Sequence, residues 1–170
     1  MLNVKESKEE INLRKLHDKK KIIDQIIETL INFLCIHIKN QINAGADVIQ
    51  IFDSWAGLIP KENLYDYCYK PNAKISNFCR KQKIPVICFP RGIKEKYEDF
   101  NKIVKPDGIN MDPETNPVWA REKLKDVVIQ GGLNPQILLK ADEDIIKAAT
   151  KYIQTFKDIP YVFNLGHGLL

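Results

Sequence analysis

Apolar residues recur every three or four positions between residues 22 and 44, which is the spacing of a helix with one buried face. The recurring positions are Ile23, Ile27, Leu30, Ile31, Leu34, Ile38 and Ile42. Gly45 follows, and glycine is the residue that most often ends a helix. An almost wholly apolar run at 47–52 comes next and predicts a strand covered on both faces, as in a parallel sheet.

Helical spacing and short apolar runs continue to alternate through the rest of the chain. Further helices are predicted at about 61–69, 72–81, 93–102, 118–125, 136–140 and 142–156. Further strands are predicted at 84–89, 107–110, 127–130 and 161–165. Pro71 is expected to separate the first two of these helices, because proline lacks the amide that a helix interior requires. Alternation without hairpin signals is typical of parallel β/α units, so the pattern predicts an α/β fold.

Five parallel strands by themselves fit either an open doubly wound sheet or part of a barrel. No Gly-x-Gly-x-x-Gly or Gly-Lys-Ser/Thr sequence follows any predicted strand, which disfavours an open sheet that binds nucleotides. The lone Arg91 after the second strand is more typical of a surface ion pair than of a binding site.

Composition excludes several classes of partner. The chain is 44% hydrophobic and 28% charged, with a net charge of +4, and no dense Lys/Arg stripe with interleaved aromatics favours nucleic acid. The densest basic run, Lys19–Lys21, is typical of a solvated helix start. No apolar run reaches the ~18 residues that a membrane span needs, and the first ten residues lack the apolar core of a signal peptide. We therefore expect a cytoplasmic protein with no nucleic-acid or membrane partner.

The four cysteines, at positions 35, 68, 79 and 88, form no Cys-x-x-Cys pair, and no histidine lies at a zinc-finger spacing from them. Neither a zinc site nor a disulfide framework is expected from this spacing. Reduced thiols are the usual state of such cysteines in a cytoplasmic protein.

A polar break follows the first predicted strand, at the carboxyl end where parallel sheets and barrels carry their sites. Because side chains alternate along a strand, Gln50, Phe52 and Ser54 share one face. From the residues alone, Ser54 is more typical of a turn or cap, and Phe52 of a core position. His167 lies between two glycines, which is typical either of a tight turn or of a histidine left open to a ligand.

Three stretches, in this order, resemble the uroporphyrinogen decarboxylase family. They are Gln50–Gly57 (QIFDSWAG), Val128–Pro135 (VIQGGLNP) and Phe163–Leu169 (FNLGHGL). The similarity extends from about Lys20 to the last residue, and the family has a (β/α)8 barrel. The resemblance therefore implies a partial (β/α)8 TIM barrel made of roughly the last five β/α units. It places a C-terminal half-barrel over residues 21–170. Residues 1–20 are charged and show no clear period, which predicts a poorly ordered lead-in.

The family removes carbon dioxide from the four acetate side chains of uroporphyrinogen III and yields coproporphyrinogen III, in haem and porphyrin biosynthesis. It uses no cofactor and no metal. The resemblance implies that Ser54 and His167 bind substrate carboxylates, that Phe52 lies against the tetrapyrrole, and that His167 is catalytic. A histidine can carry charge or transfer a proton near neutral pH.

Two features depart from the family pattern. Family members usually read Gly-Asn-Leu-Asp-Pro where this chain has Gly131 to Pro135, so Gly132 and Asn134 differ. An aspartate that contacts the pyrrole NH groups, an arginine-bearing loop and a tyrosine belong to the family's first three units, and none of their motifs occurs in this sequence. We therefore expect no activity from these residues alone. The partners that the resemblance implies are a complementing N-terminal half and, as is common in the family, a second copy in a homodimer.

Two alternatives stay open at this point. The related corrinoid methyltransferases share the barrel but bind zinc through His and Cys, often with a cysteine near the last strand, where this chain has Gly166–Gly168. The other alternative is a non-catalytic remnant or one half of a split enzyme.

Overall fold

A computed structural model describes residues 19–168 of the chain, in which five parallel strands alternate with helices. The α-helices are α1 Lys20–Asn43, α2 Lys70–Lys81, α3 Tyr97–Val104, α4 Pro117–Lys123 and α5 Asp142–Phe156. The strands are β1 Ile49–Asp53, β2 Val86–Pro90, β3 Gly108–Met111, β4 Val128–Gly131 and β5 Tyr161–Val162. The predicted lead-in, residues 1–20, lies outside the described residues apart from Lys19 and Lys20.

Each strand lies beside its neighbour in sequence, in the order β1-β2-β3-β4-β5, and every pairing is parallel. A doubly wound sheet reverses its strand order at a switch point, and this sheet does not. Right-handed connections that all advance in one direction place their helices on one face of the sheet. The predicted α/β class is confirmed, and the strand order is that of a partial (β/α)8 barrel.

One face of the sheet packs on the helices. A continuous row crosses all five strands on this face: Ile51, Cys88, Ile109, Ile129 and Tyr161. Its three central members are fully buried. Cys88 lies against Ser76 of α2, with Sγ and Oγ 3.7 Å apart, and Tyr161 stacks on Phe156 of α5 at 4.4 Å between ring centroids. This apolar row is the main contact of the sheet with the helix layer.

The opposite face carries a second row: Phe52, Phe89, Asn110, Gln130 and Val162. In a closed barrel this face lines the lumen. The outer members are open, with Phe52 65% and Val162 42% exposed, whereas Phe89 is only 4% exposed. The register pairs Phe52 with Phe89, so Phe89 and not Cys88 shares the face of Phe52.

The predicted break at Pro71 is wrong. A 3₁₀ turn at Lys61–Asn63 is followed by a π-helix, Tyr65–Tyr69, that runs directly into α2. Pro71 lies in the first turn of α2, where a missing amide is tolerated. The wider π turn that precedes it carries the chain into α2 without a break. Among the helices of residues 19–168, none combines the length and the apolar character that crossing a membrane requires.

The strand ends also differ from the prediction. The first strand begins at Ile49 rather than at 47, and the last pairs only at Tyr161 and Val162 before an isolated bridge joins Leu165 to Leu133. Short 3₁₀ turns at Ala56–Leu58, Lys94–Lys96 and Pro135–Leu139 take the place of longer loop or helix segments.

Candidate functional site

The residues predicted to form the site lie at the carboxyl edge of the sheet. Ser54 directly follows β1, and His167 lies in the segment after β5. Because β1 and β5 are the outermost strands, three strands separate them, or roughly 19 Å along the sheet at the usual strand spacing. The structure thus places Ser54 and His167 on one edge of the sheet, at its two ends.

The turn that carries Ser54 is fixed by its backbone. The amide of Arg91 donates to the carbonyl of Asp53 at 3.1 Å, and the amide of Gly57 donates to the carbonyl of Arg91 at 2.8 Å. Ser54 itself is partly buried. Phe52, two residues earlier, projects from the free face and meets Phe89 edge-to-face, with ring centroids 6.3 Å apart. The side chain of Phe52 is therefore accessible to a ligand, unlike that of a core residue.

The Ser54 turn rests directly on the loop after β2. A Cβ atom added to Gly57 would lie 2.7 Å from the Cα of Gly92, which is closer than real Cβ contacts come. Gly92 in turn has a φ of +81°, a conformation that favours glycine. Both positions therefore require glycine for the two backbones to touch.

Asp53 points to the other side of the strand, toward the helices. Its Oδ2 accepts a hydrogen bond of 2.9 Å from Nδ2 of Asn72, and burial raises the pKa of its carboxyl while bonds from Cys68 and Asn72 oppose that rise. The Oδ1 atom of Asn72 is buried without a partner. This polar group joins the end of β1 to α2, behind Ser54.

His167 is half-buried, and its Nδ1 lies 3.2 Å from the carbonyl of Gly168. The preceding Gly166 is buried and donates its amide to the carbonyl of Leu133 at 2.7 Å. A Cβ on Gly166 would lie 2.7 Å from the backbone nitrogen of Pro113. The glycine before the histidine thus allows the segment to pack on the loops after β3 and β4.

The loop after β4 accommodates both departures from the family pattern. Gly132 has a φ of +93°, and the Tyr152 hydroxyl donates to its carbonyl at 2.6 Å. Asn134 accepts a bond of 3.0 Å from the amide of Gln136 and so caps the 3₁₀ turn that follows. Asparagine and aspartate are equally good at this capping position. The loop therefore keeps its cap with Asn134.

A buried polar pair on the lumen-facing side was not predicted from the sequence. Gln130 donates from Nε2 to Oδ1 of Asn110 at 2.9 Å, and the two side chains are 4% and 3% exposed. Asn110 also donates to the carbonyl of Met111 at 3.3 Å. Polar residues inside two otherwise apolar strands were the signal that could have revealed this pair.

A second unpredicted group surrounds Asp112, directly after β3. Burial raises the pKa of its carboxyl, and the bonds from Tyr97 and Gly92 and the charge of Arg91 oppose that rise. A cavity of about 600 Å³ adjoins it, lined by Arg91, Gly92, Lys94, Glu95, Asp112, Glu114, Thr115, Asn116 and Trp119. Arg91, expected in a surface ion pair, instead lines this cavity with its charge near Asp112.

Within residues 19–168, no three His, Cys, Asp or Glu side chains are grouped as metal ligands would be. All four cysteines carry free thiols; Cys68, Cys79 and Cys88 are buried, and burial raises the pKa of the Cys88 thiol to about 12.

Comparison with known proteins identifies the family. The model of the uroporphyrinogen decarboxylase family (URO-D) matches residues 4–170. A uroporphyrinogen decarboxylase of Orientia tsutsugamushi is 38% identical over 161 residues, covering 92% of this chain and 46% of that protein. One of Cereibacter sphaeroides is 32% identical over 152 residues, covering 87% of this chain and 43% of that protein. The chain thus spans less than half the length of these relatives and matches their C-terminal part.

Proposed function

The chain belongs to the uroporphyrinogen decarboxylase family, and we propose that it supplies the Ser54 and His167 side of a decarboxylase site for uroporphyrinogen III. The observation that carries the proposal is that the three family motifs, distant in sequence, follow or contain the carboxyl ends of β1, β4 and β5 in a single parallel sheet. That edge is where barrel enzymes place their sites.

A pyrrole ring carbon takes a proton, and the acetate then loses carbon dioxide, which leaves an exocyclic methylene. The methylene takes a proton to become a methyl group, and the ring carbon gives up its own proton, which restores the pyrrole. The protein has to hold a polyanion and stabilise a transient cation, which is a task for fixed charges and dipoles. In this proposal the hydroxyl of Ser54 and the imidazole of His167 donate to substrate carboxylates, and Phe52 packs against the tetrapyrrole. No cofactor or metal is part of the proposal.

The remaining strands of the barrel complete the site, either on the same polypeptide or on a second one. They would bring the aspartate, arginine and tyrosine that the family places in its first three units. Phe52 and Val162, exposed at the two ends of the lumen-facing row, are the positions that those strands would cover. We also propose cytoplasmic location and, for the completed barrel, assembly as a homodimer.

Replacing His167 by Ala in the completed enzyme is expected to lower the decarboxylation rate roughly 10- to 150-fold, since a hydrogen bond to a charged group is worth about 1.5–3 kcal/mol. Ser54→Ala is expected to have a smaller effect, because a neutral hydroxyl is the weaker donor to a carboxylate. Steady-state kinetics with uroporphyrinogen III under anaerobic conditions measures both.

His37→Ala and Thr29→Ala are matched controls, because both residues are exposed on α1, outside the loops of the carboxyl edge. Both control variants are expected to keep the parent rate. Rates unchanged from the parent in the His167 and Ser54 variants would remove these residues from the site.

A further inference from the structure

The backbone of Arg91 holds the turn that carries Ser54 at both of its ends. Its amide donates to the carbonyl of Asp53, just before Ser54, and its carbonyl accepts the amide of Gly57, just after the turn. With two bonds of 3.1 and 2.8 Å to one residue, the turn cannot move relative to Arg91 without breaking one of them. The position of Ser54 is therefore set by the position of the loop after β2.

That loop is held in turn by a carboxylate from the next strand. Oδ2 of Asp112 accepts the amide of Gly92 at 2.7 Å and the hydroxyl of Tyr97 at 2.6 Å. The hydroxyl of Tyr97 also accepts the amide of Asp112 at 3.1 Å, so the carboxylate cannot swing away from the loop. Hydrogen bonds to an ionised acceptor are about twice as strong as those between neutral groups.

The Asp112 group is buried. Asp112 is 4% and Tyr97 0% exposed, and Tyr97 begins helix α3. A buried acceptor that holds two donors is costly to remove, because both donors lose their partner at once. One carboxylate thus connects β3 and α3 to the loop that clamps the Ser54 turn.

We propose that Asp112 is a positioning residue for Ser54. It acts through the backbone of Gly92 and Arg91 and does not itself touch the carboxylate that Ser54 binds. In this way it fixes the position of the Ser54 hydroxyl relative to the substrate carboxylate. This inference rests on the proposed role of Ser54, and it goes beyond that role by naming the residue that places the hydroxyl.

Hydrogen–deuterium exchange of backbone amides in the completed barrel tests the connection without any use of activity. In Asp112→Ala the amides of Gly92 and Gly57 are expected to exchange at least tenfold faster than in the parent. In Asp112→Asn, which keeps one oxygen to accept both donors, a smaller but measurable increase of about threefold is expected. The Asn variant has nearly the shape of the parent side chain and decides the outcome if the Ala variant does not fold.

Asp107→Asn is the matched control. Asp107 also accepts a strand amide through its side chain, from Val86 at 2.9 Å, but at the opposite edge of the sheet. This variant is expected to speed exchange at Val86 and to leave Gly57 unchanged. Faster exchange at Gly92 with an unchanged Gly57 amide would overturn the proposal, and so would equal acceleration at Gly57 in the Asp107 and Asp112 variants.

A double-mutant cycle of Asp112 and Ser54, followed by steady-state kinetics, supplies the second readout. Asp112→Asn is expected to raise KM for uroporphyrinogen III by less than Ser54→Ala does, with kcat changed less than KM, and to add nothing further in a Ser54→Ala background. Additive effects on KM would mean that Asp112 acts independently of Ser54, against the proposal. If Ser54→Ala leaves KM unchanged, the proposed function fails while the exchange result still reports the connection.

Discussion

A polypeptide of residues 1–170, as the only protein present, is expected to form no coproporphyrinogen above the uncatalysed rate. Fixed charge at the developing cation is usually the largest contribution to catalysis, and removing a single preorganised donor can cost a factor of about 10² to 10³ in kcat. The 170 residues do not include the β/α units that carry the family's aspartate. The loss is therefore expected to be complete rather than partial.

The experiment incubates the purified 170-residue polypeptide with uroporphyrinogen III under anaerobic conditions and measures the porphyrinogens with fewer carboxyl groups. A second sample adds the N-terminal part of a curated relative, which supplies the first three β/α units. Activity is expected only in the second sample, and a third sample with the His167→Ala variant shows whether that activity uses this chain. Turnover by the 170 residues alone would show that another group stabilises the cation.

The positions of the strands could be predicted from the sequence because apolar runs and helical spacing are local properties. Their ends could not, since pairing decides them. β1 begins at Ile49 because the amide of Ile49 bonds to the carbonyl of Pro85, the residue before β2. Val48, although apolar, is 48% exposed. β5 pairs at only two residues because the chain then turns to bridge Leu133 through Leu165.

In the candidate site, too, local features could be predicted from the sequence and tertiary contacts could not. The placement of Ser54 and His167 at the carboxyl edge could be predicted, since each follows a predicted strand, and their roles stay predictions. The links around Asp112 join residues 15 and 20 positions apart and depend on how two loops meet in space. The pair Asn110 and Gln130 depends likewise on the register of two strands. Tertiary contacts of this kind leave no local pattern in the sequence beyond a polar residue in an apolar run.

Three features of the described residues favour association. The lumen-facing row ends in Phe52 and Val162, which are 65% and 42% exposed. The outer strands β1 and β5 carry no Lys or Pro, the residues that protect natural sheet edges. Helix α1 adds a stripe of residues that are each more than half exposed: Ile22, Ile26, Leu30 and Phe33. Contiguous exposed apolar side chains of this kind are typical of an interface.

We therefore expect the 170-residue polypeptide to self-associate or to pack loosely when nothing covers these surfaces, with its helix content retained. Sedimentation velocity measures the association, and near-ultraviolet circular dichroism measures the side-chain packing. The double variant Ile26→Glu and Phe33→Glu places two charges on the α1 stripe and is expected to shift the distribution toward smaller species. The control Asn32→Glu adds a charge at a polar, exposed position of the same helix and is expected to change little.

A monodisperse monomer with a sharp cooperative melt would contradict this expectation. It would require the two edges to be covered within the chain, because an uncovered strand edge leaves amides and carbonyls unpaired. The centre of the lumen-facing row is already covered, since Phe89, Asn110 and Gln130 are each at most 4% exposed. The exposed ends of that row and the α1 stripe are therefore where association is expected to begin, and the Glu variants are placed on the stripe for that reason.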